Sequence, residues 1–82
     1  MSPWQQCLER LEGELSPQLF NTWIRPLQAE IDQSQIRLLA PNRFVKDWVN
    51  EQYFSSIHSH LSAILKEDFV LKIEIGSQSS MF

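Results

Sequence analysis

The sequence predicts an α+β domain in which a three-stranded sheet packs against helices, in the order α-α-β-β-α-β. Three observations predict it. Apolar residues recur at intervals of three and four from Trp4 to Leu15 and again from Val45 to Leu65, the period of a helix with one buried face. Over Leu27–Leu38 and Phe69–Ile75 the period drops to two, as in half-buried strands. Ser2-Pro3 and Ser16-Pro17 each read as an N-cap followed by Pro at the first helical position, where its missing N–H does no harm.

Taken in order, the first helix carries Trp4, Leu8, Leu11 and Leu15 on one stripe, with Glu9, Arg10 and Glu14 on other faces. The second is short. It turns Phe20, Trp23 and Ile24 inward and ends at Pro26, which disfavours helical geometry in the residue before it. Leu27, Ala29 and Ile31 then alternate with Gln28 and Glu30, and Ile36 and Leu38 flank Arg37. The polar Asp32-Gln33-Ser34-Gln35 between them suits a hairpin turn, although it lacks Gly. Asn42 caps a long third helix predicted over about Arg43 to Leu65. Its apolar positions, from Val45, Trp48 and Val49 to Leu65, are spaced near four, so the stripe drifts around the helix. Phe69, Leu71, Ile73 and Ile75 mark the last strand. Residues 1–76 form a single domain on this reading, and 77–82 (SQSSMF) read as the start of a flexible linker or a boundary of the piece.

Eighty-two residues, 43% of them hydrophobic, with three Trp and five Phe, can build one core and no more. One cysteine cannot make an internal disulfide or a multi-Cys zinc site. The N-terminus has charges every few residues and lacks the apolar centre of a signal peptide, and no apolar run approaches the roughly 20 residues that cross a bilayer. A soluble cytoplasmic domain, without membrane contact, is the plain expectation.

Catalysis has little to work with. His58 and His60 sit two apart on a helix and point roughly 200° away from each other, so they cannot share an ion. Cys7 lies beside the Leu8/Leu11 stripe and reads as a small buried thiol. The carboxylates stand among polar neighbours. Gly13 and Gly76 are the only glycines, too few for a loop that cradles phosphate. We expect no enzyme, no metal and no cofactor.

Binding remains. The net charge is −3 and the seven basic residues are scattered, whereas phosphate backbones reward a clustered basic face. The element order is a cyclic rearrangement of the KH order, which makes a weak single-stranded nucleic-acid module the alternative function. KH domains clamp the backbone with a GXXG loop; the corresponding "LEGELSPQ" has one glycine among acids. Arg43 and Lys46, with Trp48, are the candidates for that contact or for the rim of a protein interface. Phe44, two residues after the cap, falls to one side of the Val45/Val49 stripe, at the edge of the buried face.

"WQQCLERLEGEL", "FNTWIRPLQAE" and "LLAPNRFVKDWV", in that order and spacing, resemble the N-terminal domain family of the bacterial replication initiator DnaA. The resemblance covers about residues 3–76. It implies a KH-like fold and an assembly module that self-associates, helps recruit and load the replicative helicase at the origin, and receives regulators such as the DiaA-type initiator-associating protein. By resemblance, Trp4 matches a self-association tryptophan and Phe44 an aromatic used in helicase contact. Leu19 stands where relatives carry an acidic residue that serves helicase and regulator binding, a departure that makes the contact more apolar here. The residues alone leave two readings open for each aromatic. Trp4 shares a stripe with Leu11 and Leu15, as a core residue would, yet a first-turn ring can overhang the fold's edge. Phe44 can meet a partner or pack on Trp48 four residues on.

Overall fold

The computed structural model describes residues 2–76; the expected linker at 77–82 lies outside them. Helix α1, Pro3–Glu14, opens at the Ser-Pro signal, with the Gln5 N–H donating to Ser2 Oγ at 3.2 Å. It buries Trp4, Cys7 and Leu11, while Leu8 and Leu15 of the expected stripe are only partly buried. Helix α2, Pro17–Leu19, starts the same way, with the Leu19 N–H on Ser16 Oγ at 3.2 Å. It runs directly into one π-helical turn, Phe20–Ile24, closed by the Arg25 N–H donating to the Phe20 carbonyl at 2.9 Å. Phe20 and Ile24 are buried. Trp23, expected inward with them, is half-buried, because the wide turn stacks Phe20 and Ile24 over the core and leaves Trp23 to the side.

Strands β1 (Gln28–Asp32) and β2 (Gln35–Ala40) form the predicted hairpin, joined through Gln33 and Ser34. Gln33 takes the left-handed conformation, φ 52°, that Gly would adopt more readily. Ile31 pairs with the buried Ile36 and shares its face, yet it is 43% exposed. The expected inward role fails because β1 is an edge strand whose main packing is on β2, so its far end projects past the helices.

The long third helix is two helices. Helix α3 spans Arg43–Gln52 and α4 spans Phe54–Leu65, with Tyr53 between them at φ −119°, ψ −7°. The backbone ladder barely suffers: the Tyr53 N–H donates to Val49 and its carbonyl accepts from Ile57, both at 2.9 Å. The drifting stripe is the cause. Val45 and Val49 of α3 face β2, β3 and the π turn, whereas Ile57 and Leu61 of α4 face α1. A bend at Tyr53 lets each half meet its own partner. His60 adds a polar tie across the second interface, Nε2 to Glu14 Oε2 at 2.9 Å.

Strand β3, Val70–Ile75, runs parallel to β2, giving the order β1-β2-β3. Ile36, Leu38, Leu71 and Ile73 face the helices and are buried. On the other face Arg37 contacts Glu30 of β1 and, at 3.5 Å, Glu74 of β3, one guanidinium tying three strands. The architecture is α+β, with the helices on one face of a mixed sheet, in the predicted element order.

Candidate functional site

Asn42 Oδ1 accepts the Val45 N–H at 2.9 Å, which starts α3 with Val45 in the core and Phe44 about 100° round the helix from it. Phe44 therefore stands 72% exposed. Trp48, one turn on, is 41% exposed. Neither ring is solitary, because Trp23 from the π turn packs against both. Its centroid is 5.6 Å from Phe44, with planes tilted by 47°, and 5.2 Å from Trp48, nearly parallel at 25°. Tilted and offset aromatic pairs at such distances add about 0.5–1.5 kcal/mol each beyond area burial. The cluster is thus held in place while Phe44 remains open to solvent. Exposed rings held together in this way make the cluster a candidate interaction site.

The rim is polar. Arg43 Nε lies 3.8 Å from Asp47 Oδ2, an exposed i,i+4 pair, and Lys46 is half-buried beside them. Asp47 offsets much of the positive charge that a phosphate would need. Leu19 is 41% exposed and precedes Trp23 by one turn on the same helical run. The structure so gathers Phe44, Trp48, Arg43 and Lys46 on α3 and places Leu19 on the run that carries Trp23. Trp4 is elsewhere, 7% exposed within the core; the overhanging first-turn ring is not what forms. Trp4 lies on the buried face of α1 with Cys7 and Leu11, and α1 packs along α4.

Trp23 is the site residue that the spacing alone did not reveal. Its place after Phe20 fits an inward helical position, and only the π turn, common at functional sites, moves it aside. The histidines part as their spacing predicts: His58 stacks on Phe69 with centroids 4.8 Å apart, and His60 meets Glu14. Among the described residues, no group of three or more His, Cys, Asp or Glu could hold a metal ion, and no helix is long and apolar enough to cross a membrane.

Cys7 is fully buried, and that burial pushes its thiol up to about 11 from 9.0. A raised folded value means that the stability from a neutral thiol is complete below pH 9.0 and is lost as pH climbs towards 11. We expect Cys7 to resist an aromatic disulfide reagent at pH 8 in the folded chain and to react fully in urea. Rapid labelling of the native chain would show that α1 opens.

Helices on one face of a three-stranded sheet, with a propped aromatic cluster at the start of α3, define a small α+β domain with an exposed aromatic face. The family model of the DnaA N-terminal domain matches residues 1–63. The chain belongs to that family, which is non-catalytic, and membership ties it to DnaA and replication initiation. The match includes every residue of the aromatic cluster and ends within α4.

Proposed function

We propose that this domain is a protein–protein assembly module of the replication initiator, which recruits the replicative helicase through the Trp23–Phe44–Trp48 face, binds regulators of the DiaA type beside it, and self-associates. The observation that carries the reading is Phe44: a large ring 72% exposed, yet backed by Trp23 at 5.6 Å. Such a ring contributes little to folding while it is free and much to binding once a partner's pocket desolvates it. Leu19 extends the same apolar character where an acid would have made the contact polar. Trp4 serves self-association only by keeping the domain folded, its ring being too enclosed, at 7% exposure, to anchor a partner directly.

Single-stranded DNA fits the same face less well. Stacking on Trp48 and Phe44 is chemically available, but Asp47 pairs with Arg43 at 3.8 Å and the chain carries net charge −3. Salt separates the two, because binding driven by phosphate weakens steeply with ionic strength.

The test is capture of this chain by immobilised replicative helicase, at low and high salt. Phe44→Ala should lower the melting temperature only modestly and weaken capture about 30-fold or more, the loss expected of an interface anchor worth about 2 kcal/mol. Undiminished capture would defeat the reading. So would binding that vanishes at high salt while DNA competes for it.

A further inference from the structure

From the outer edge of β3 we infer that two copies of this chain join there, β3 antiparallel to β3, about a twofold axis at Ile73. The inference rests on the reading that the domain self-associates, and gives that association a surface separate from the aromatic face.

The backbone sets the register. The Val70 N–H donates to the Ser34 carbonyl and the Gly76 N–H to the Ala40 carbonyl, so the even-numbered residues of β3 turn their hydrogen-bonding groups towards β2. Leu71, Ile73 and Ile75 turn theirs outward. Among the described residues the sheet ends at β3, which leaves those groups without a strand to pair with. Residues opposite one another in an antiparallel pair share a face, and the outward groups meet when odd-numbered residues oppose odd-numbered ones, which sets the twofold axis between a residue and its own copy. Centred on Ile73, Ile73 meets its own copy and Leu71 meets Ile75 in both directions. All three edge-facing residues of each copy are then hydrogen-bonded.

The side chains agree with that register. On the face away from the helices, Lys72 of each copy lies opposite Glu74 of the other, in the closer, non-hydrogen-bonded positions. Glu74 remains beside its own Arg37, so each carboxylate is bracketed by cations. On the helix-bearing face Ile75, 51% exposed, gains Leu71 of the second copy. An axis at Lys72 or Glu74 would oppose like charges and leave one edge-facing residue of each copy, Ile75 or Leu71, without a partner in β3. The other edge of the sheet is self-repelling: on β1, Glu30 and Asp32 share one face, so pairing β1 with itself about Glu30 or Ile31 sets carboxylate against carboxylate. Like charges placed so protect an edge, whereas β3 carries one charge of each sign, Lys72 and Glu74, on that face. A six-residue strand buries little area, so the dimer is weak.

Sedimentation equilibrium of the 82-residue chain at low salt tests this. Lys72→Glu and Glu74→Lys each turn two attractive pairs into two repulsive ones and should weaken the dimer about tenfold or more. An equimolar mixture of the two variants opposes Glu to Lys at every pair, and it should recover dimers as strong as wild type. Melting curves near that of wild type show that both variants fold. Wild-type behaviour of either single variant, failure of the mixture to recover, growth beyond dimers, or a wild-type chain monomeric at every concentration would each overturn the inference. Helicase capture is read on the same preparations: its loss in wild type with the swap pattern intact would defeat the aromatic face and leave the edge standing.

Discussion

Trp4→Ala is expected to remove about 3–5 kcal/mol of folding stability, the range for deleting a buried aromatic ring. Trp4 is 7% exposed, in the first turn of α1, within the same cluster as Cys7, Leu11 and Leu61. Single domains are stable by only about 5–15 kcal/mol, and small ones lie low in that range. The variant should therefore be close to unfolded at 25 °C, with a urea midpoint far below wild type by far-UV circular dichroism. Trp4→Phe, which keeps a ring in the same space, should recover much of the loss. This bears directly on self-association. Dimer loss in Trp4→Ala alone would follow from unfolding, whereas Trp4→Phe should stay folded and keep the dimer. A Trp4→Ala chain that melts like wild type but has lost the dimer would show the ring to be an interface anchor.

Much of the fold was readable because local signals and burial agree. Ser2, Ser16 and Asn42 each cap the helix that they precede, and the period-two stretches became β1, β2 and β3. Disagreements arise where tertiary context chooses between local options. Ile31 alternates correctly but lies on an edge strand with nothing extensive over it. The four-residue spacing from Val45 to Leu65 is continuous, and only the presence of two different partners, sheet and α1, shows why the helix must bend at Tyr53. Lys66, which ends α4 at φ 60°, ψ 26°, does what Gly commonly does at a helix end, so the end was visible only from the polar run Lys66-Glu67-Asp68 that follows.

The site divides the same way. Phe44 is legible because its angle on α3 sets it beside the buried stripe, and the exposed position agrees. The reading in which it packs on Trp48, one of the two that the residues left open, did not include the third ring, Trp23. Both packings depend on Trp23, whose position is set by a π turn, a backbone feature that spacing arguments built on 3.6 residues per turn cannot register. Leu19 is legible only by contrast with the acid carried by the family it resembles; its 41% exposure comes from the structure.

Trp23→Ala should have the largest effect on binding, because it removes the support of two rings at once. Phe44 and Trp48 approach Trp23 at 5.6 and 5.2 Å, and without it both side chains gain rotamer freedom that a partner must freeze out. Immobilising a side chain on binding costs about 0.5–1.5 kcal/mol, so two loosened rings weaken helicase capture even where their own contacts are unchanged. Trp23 also packs against the core, so the substitution should destabilise folding by about 2–3 kcal/mol, more than Phe44→Ala does. Both losses can be read on one preparation by thermal melt and helicase capture, at a temperature where the variant is still folded. The decisive comparison is the double variant. If Trp23 acts by holding Phe44, then Phe44→Ala should cost less binding in the Trp23→Ala background than in wild type, by about 0.5–1.5 kcal/mol, a coupling within the 0.5–3 kcal/mol seen for residues in contact. Fully additive losses would show that Trp23 touches the helicase on its own account, and wild-type capture by Trp23→Ala would remove it from the site altogether.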